Sequence, residues 1–248
     1  MSIFRPLYLK FVKKHFQKPF KPLGIKKKTN ILVSAPATTK EFLKTLPFLA
    51  ELSSISHVIL LVPKIIEELL KILKPKMFEV IYYNKPLAVQ TKEFTVLKNQ
   101  LSKLAFSFVI ELNRPANLSL PLITKADRRM TFYDTSSYPY YNILVKGDTE
   151  GFLDFFQLEP KEVLGYFRFY VRELKKIDKQ LKKNRPLLFI NGSVPANITW
   201  EGDTILLGKN QARSDETFKL LYLCDAYSGP DDELGELARI FNKRIVTS

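Results

Sequence analysis

The sequence is poor in the residues that build the commonest reactive centres. One cysteine, Cys224, and two histidines, His15 and His57, stand among 248 residues. A disulfide framework and a Cys/His zinc cluster are therefore excluded. Glycine is sparse too, at nine, and none falls in a G-x-G-x-x-G or P-loop pattern. Those phosphate cradles need glycine for tight turns and close backbone approach, so an ordinary dinucleotide or triphosphate site is not expected. Neither G-x-S-x-G nor H-E-x-x-H occurs. The longest unbroken aliphatic run is Val58 to Val62, far short of the ~18 residues of a spanning helix. The first residues alternate Lys with Phe and lack the apolar segment of a signal peptide. The expectation is a soluble or peripheral protein of a reducing compartment.

Positive charge is what the chain has in excess. Lys and Arg number 39 against 25 Asp and Glu, a formal net charge of +14. Such a value bears on partners and invites nucleic acid or a negative membrane surface. Its distribution is uneven: residues 1–28 hold nine basic residues and no acidic one, which leaves +5 for the other 220. Within this tail Ile3, Phe4, Leu7, Tyr8, Phe11, Val12, His15 and Phe16 recur at helical spacing, with Arg5, Lys10, Lys13 and Lys14 on the other side. Pro19 and Pro22 end the pattern. A basic amphipathic helix of this kind suits an anionic membrane interface, where Phe4, Leu7, Phe11, Lys13 and Lys14 would lie. The alternative is a helix that packs its apolar face on its own body or on a protein partner. A bulky apolar stripe has no use on a phosphate backbone, which argues against nucleic acid. A second basic run, Arg172 to Arg185, carries Leu174, Ile177 and Leu181 on one face and reads as a solvated connecting helix.

From Asn30 onward, short apolar strands alternate with amphipathic helices. Strands are expected at 31–33, 58–62, 79–83, 106–112 and 128–132, and helices at 40–52, 64–73, 91–103 and 117–124, with Ser53 to Ser56 breaking the first helix. This is the pattern of an α/β sheet buried on both faces. Residues 135–160 read as irregular and 161–183 as one long helix. A second, shorter αβ block follows, with strands at 186–190, 204–207 and 244–247 and helices at 216–223 and 233–241. The expected organisation is a tail (1–28), a Rossmann-like domain (29–134), a connecting segment and helix (135–185) and a reduced second Rossmann-like domain (186–248).

Four segments in the right order carry a resemblance. Ile31 to Leu52, with Leu43, Thr45, Pro47 and Leu49 at the spacing L-x-T-x-P-x-L, resembles the opening strand, loop and helix of the lipopolysaccharide heptosyltransferases, glycosyltransferase family 9. Phe106 to Leu112 is similar to that family's later "yDlvidLq" strand, and Ala126 to Phe132 to its "A-x-R-R-x-G-F". Leu221 to Val246 is similar to its closing segment, matching at Asp231, Leu237, Ala238 and Lys243. The resemblance implies a GT-B arrangement of two Rossmann-like parallel-sheet domains, the C-terminal one reduced, and a nucleotide-sugar partner, with no cofactor and no metal ion.

The departures from the family pattern bear on function. Its early Gly-Asp supplies a carboxylate proposed to deprotonate the acceptor; here Lys40 and Glu41 stand in those places. Glu41 is the candidate base, or else a first-turn acid favoured by the helix dipole. The family's D-S-G-x-x-H-L-A holds the donor diphosphate on backbone N–H groups at a helix N-terminus. This chain has Asp231-Asp232-Glu233-Leu234-Gly235-Glu236-Leu237-Ala238, with carboxylates where donors should be and Glu236 in place of the His. Asp232 and Glu233 read as helix N-terminal acids. If a nucleotide sugar binds, Gly192, Ser193 and Asp231 are its candidate contacts. Arg128 and Arg129 are either contacts for an anionic acceptor or strand-end surface charges. The expectation is a non-catalytic, heptosyltransferase-like binding or scaffold protein, cytoplasmic and peripheral to the inner membrane face, held there or to a protein partner by residues 1–28. The alternative is an active glycosyltransferase moving a sugar from a nucleotide sugar to a lipid-linked or envelope glycan.

Overall fold

The computed structural model describes residues 10, 12–13, 16, 30–74, 77–84, 87–124, 126–181, 186–192, 200–207 and 214–246. In chain order the first elements are β1 (Asn30–Ser34), α1 (Thr39–Ile55), β2 (His57–Pro63), α2 (Glu67–Lys71), β3 (Glu79–Tyr83), α3 (Lys92–Leu101), β4 (Phe108–Glu111), β5 (Arg128–Phe132), β6 (Ile143–Val145) and α4 (Thr149–Phe156). Then come α5 (Val171–Leu181), β7 (Leu187–Asn191), β8 (Asp203–Leu207), α6 (Asp215–Leu223), β9 (Ala226–Ser228), α7 (Glu233–Ile240) and β10 (Arg244–Ile245). The chain divides into two units, one of Met1–Ala37, Thr45–Lys64 and Lys76–Pro160, the other of Thr38–Lys44, Ile65–Pro75 and Lys161–Ser248.

The first unit is built on a six-stranded sheet in the order β3-β2-β1-β4-β5-β6, with every pairing parallel. Parallel strands need crossover helices on the faces, so both faces leave water. That is why β1 and β2 are continuous aliphatic runs: Ile31, Leu32, Val33, Leu60, Leu61 and Val62 are fully buried. On one side of the sheet Phe152 is the centre of an aromatic group, with Phe48 and Phe132 rings 5.3 and 4.9 Å away. The second unit has a four-stranded sheet, β10-β9-β7-β8, again all parallel. Its strand core is Leu188, Ile190 and Ala226, covered by Trp200 and Val246. Phe167, Phe169, Tyr222 and Phe241 form a second apolar group in this unit.

Several expected boundaries differ from the structure, each for a local reason. The serines after Leu52 do not break α1. Ser53, Ser54 and Ser56 donate back to the carbonyls of Ala50, Glu51 and Leu52, so the helix runs on to Ile55. The long helix at 161–183 is only α5. Before it, Lys74 N–H donates to the Tyr166 carbonyl and Arg168 N–H to that of Ile72, pairing this stretch with a neighbouring segment instead of with itself. The helix at 117–124 is a short 3-10 turn, Leu120–Leu122. Residues 135–160 are not an irregular connection: they supply β6 and α4 and group with the first unit. Of the tail, Lys10, Val12, Lys13 and Phe16 are helical; Phe16 is buried beside Tyr140 and Tyr141, and Val12 packs on the same cluster. Phe4, Leu7, Phe11 and Lys14 lie outside the described residues.

Truncating Phe152 to Ala leaves a cavity beside the Phe48 and Phe132 rings, so Phe152→Ala is expected to cost about 3–5 kcal/mol. Urea unfolding measures it; a loss below 1 kcal/mol would contradict the packing described.

Candidate functional site

In a parallel sheet, ligands gather outside the carboxyl ends of the strands at the point where strand order reverses. In the first sheet that point is the β1–β4 pair, where Ser34 lies opposite Glu111. Glu111 ends an otherwise apolar strand and is fully buried. Its Oε1 accepts from the Asn113 backbone N–H at 2.8 Å and from Asn113 Nδ2 at 2.6 Å, while Oε2 has no partner of hydrogen-bond geometry among the described residues. The same Asn113 amide reaches the Ala35 carbonyl at 3.0 Å, joining the loops after β1 and β4. Burial pushes the Glu111 carboxyl up to about 7; the Asn113 hydrogen bonds, with the nearby Ser34 hydroxyl and Asn117 amide, pull it down by less.

Beyond Asn113 the carboxyl ends of β4, β5 and β6 border a cavity of about 500 Å³, lined among others by Arg114, Phe132, Tyr133, Lys146 and Asp148. That size suits a small molecule. The Arg114 guanidinium lies 3.8 Å from the Phe132 ring centroid and donates to the Gly147 carbonyl. Lys146 Nζ stands 5.7 Å from the centre of the exposed Tyr133 ring. Among the described residues neither cation pairs with a carboxylate. Asp134 is engaged elsewhere, accepting from both the N–H and the hydroxyl of Ser136. Gly147, at φ +80°, turns the chain between β6 and the Asp148 N-cap of α4, a conformation that favours glycine. The site therefore offers two positive charges, neither paired with a carboxylate among the described residues, beside an aromatic face.

The second sheet reverses order between β7 and β9. Asn191 ends β7, and its Nδ2 donates to Tyr227 Oη at 3.1 Å and to Asp232 Oδ2 at 3.0 Å. Asp232 is the N-cap of α7: Oδ1 accepts from the N–H groups of Leu234 at 2.9 Å and Gly235 at 3.2 Å. Gly229 makes this elbow possible, since a Cβ there would stand 2.6 Å from Tyr227 Oη and 2.8 Å from the Asn191 Cβ. Asp231, one residue earlier, is held by Arg239 Nη1 at 2.7 Å and by Lys40 Nζ at 2.8 Å, Lys40 belonging to the Thr38–Lys44 stretch of this same unit. The Lys40 and Arg239 hydrogen bonds draw the Asp231 carboxyl down to about 2. The helix end thus already carries the anion that its N–H groups and neighbouring cations favour.

The sequence-derived candidates fare unequally. Gly192 follows Asn191 at the carboxyl end of β7 and Asp231 precedes the α7 cap, so both stand at the reversal point; Ser193 lies outside the described residues. Glu41 sits exposed in the first turn of α1, paired with Lys44 at 3.1 Å, which is the helix-dipole placement. Arg128 and Arg129 require correction. They open β5, at the amino end of the strand, whereas the cavity lies at its carboxyl end. Both are buried. Arg129 donates to the carbonyls of Tyr140, Ala126 and Asp127, and Arg128 stacks 5.0 Å from the Phe108 ring centre. They hold the strand end, and being buried they are not the surface charges of the second expectation. The cations that face the cavity, Arg114 and Lys146, were missed; the only sequence signal was Asn113-Arg114-Pro115 directly after a strand ending in a carboxylate. Among the described residues no three His, Cys, Asp or Glu side chains gather to hold a metal ion.

No protein-family model matches the chain, and no curated protein matches it. Solved structures do. The ADP-heptose lps heptosyltransferase II of E. coli aligns with a TM-score of 0.63 at 14% identity, covering 88% of this chain and 84% of that one. The fold is that of the heptosyltransferases. A family 9 glycosyl transferase from Veillonella parvula gives 0.63 at 10% identity, over 91% of this chain and 83% of its own. E. coli heptosyltransferase WaaC with ADP gives 0.57 at 10% identity, over 88% and 86%. This heptosyltransferase-like chain thus has the GT-B-type pair of Rossmann-like sheets, six strands in one and four in the reduced other.

Glu111 makes stability depend on pH. Its folded pKa lies above the ordinary 4.5, so between about 4.5 and 7 the folded state keeps a proton that the unfolded chain has released. This contribution is fully present at low pH and is lost as pH rises through about 7, by about 3 kcal/mol. Glu111→Gln is expected to flatten the profile of urea midpoint against pH between about 5 and 8; an unchanged slope would exclude Glu111 as its source.

Proposed function

We propose that this protein is a non-catalytic relative of the heptosyltransferases, a binding or scaffold component at the cytoplasmic membrane face. The observation that carries the reading is the Asp232 carboxylate on the Leu234 and Gly235 N–H groups. In a heptosyltransferase-like site a helix end of this kind would receive the donor diphosphate. Here the chain's own anion occupies it, and Asp231, Glu233 and Glu236 stand within the same turn. A diphosphate would have to displace the Asp232 carboxylate from these N–H groups, while the nearby cations Lys40 and Arg239 are already engaged by Asp231 and Glu236. Glu41, the acid that stands in the place of the family's base, is bound to Lys44. Binding is supported by the first unit's cavity, lined by Arg114 and Lys146, neither of which has a carboxylate partner among the described residues. Its ligand would be a small anion with a face to lay on Tyr133.

Calorimetry with ADP-heptose and with UDP-glucose tests the closed donor site. No heat and no thermal shift are expected from either. Saturable binding together with turnover abolished by Glu41→Gln would overturn the reading in favour of an active transferase.

Asp232→Ala would leave the α7 N–H groups uncapped, and a fall of about 1 kcal/mol in unfolding free energy is expected. An undiminished urea midpoint would mean that the carboxylate does not cap the helix in solution.

A further inference from the structure

Outside both reversal points, the strongest segregation of charge among the described residues lies on α5. At about 100° per residue, Arg172, Lys175, Lys176 and Lys179 stand at i, i+3, i+4 and i+7 and share one face. Leu174, Ile177 and Leu181 fall on the opposite face and are partly buried, whereas all four cations are exposed. Glu173 lies off the stripe and pairs with Lys219 at 2.8 Å; Asp178, the other acid of the helix, sits on its flank. None of the four cations has an ion-pair partner among the described residues. With Val171 they line a recess of about 530 Å³, large enough for phosphate head groups. At the leading end of the stripe Tyr170 and Val171 are 51% and 65% exposed, and the Arg168 guanidinium lies 5.0 Å over the Tyr170 ring.

We propose that this face of α5 docks on an anionic lipid bilayer. The four cations form a row about 10 Å long that meets head-group phosphates, while Tyr170 sits at head-group depth and Val171 enters the acyl boundary. The apolar pair distinguishes this partner from nucleic acid, whose phosphate backbone gives Val171 no apolar phase to enter. A protein partner fits less well, because interface cores are depleted in Lys. The proposal rests on the membrane-face part of the functional reading but uses a surface separate from residues 1–28.

The test is co-sedimentation of the full chain with vesicles of phosphatidylglycerol and phosphatidylcholine, with pure phosphatidylcholine as the uncharged reference. Lys175→Gln together with Lys179→Gln removes two exposed charges, and the partition coefficient onto anionic vesicles is expected to fall about thirtyfold. Thermal melting should be unchanged. Val171→Ser should lower the part of the binding that persists in high salt. If the wild type does not sediment with anionic vesicles, the membrane-face reading fails together with this proposal. If it sediments and the double variant sediments equally, this proposal alone fails. Loss of binding to a DNA duplex by the double variant, with vesicle partition unchanged, would also overturn it. The nucleotide-sugar titration is independent of all three outcomes.

Discussion

The side chain of Asn113 is the joint on which the first unit's site depends. Where β1 and β4 part company, the loops that follow them leave the sheet and lose its ladder of hydrogen bonds. Asn113 bridges the gap with its side-chain amide, which donates to Glu111, the Ala35 carbonyl and the Ser34 hydroxyl, and with its backbone N–H to Glu111. A buried carboxylate without such donors would carry the full desolvation cost of a polar group. With them it anchors the residue from which Arg114 departs, and Arg114 then reaches across to Phe132 and the Gly147 carbonyl. The wall of the cavity is thus built outward from one buried acid.

The second unit meets the same geometric problem and resolves it in the opposite sense. Its reversal point also brings a strand end, a tight glycine elbow and a helix N-terminus together. There the vacant donors are satisfied from within, by Asp232, and the nearby cations Lys40 and Arg239 are paired with Asp231 and Glu236. One sheet keeps its positive charge open to a visitor and the other has internalised its counter-ion. That contrast is what the proposed binding role rests on.

Much of the fold was legible because parallel sheets buried on both faces write themselves as aliphatic runs. Glu79–Tyr83 and Arg128–Phe132 appear at the expected residues. Short elements were not legible: β6 and β9 are three residues each, below the length at which periodicity speaks. Nor was tertiary pairing, which held residues 166–168 against 72–74 and denied them to the expected helix. At the site, the acidic stretch after Gly229 identified the unusual helix end. Arg128 and Arg129 misled because adjacent arginines at a strand end look like surface charge, and nothing local reveals carbonyls converging on one of them. Arg114 and Lys146 come from different loops, and only the strand order makes them neighbours.

The Asp232 cap also bears on how the helix end could be opened. A substitution that vacated the α7 N–H groups would surrender the cap, and with it stability, before any outside anion could take its place. Asp231 and Glu236 would stay bound to Lys40 and Arg239 after that step. The closed end is therefore a local optimum, which single substitutions leave only at a loss.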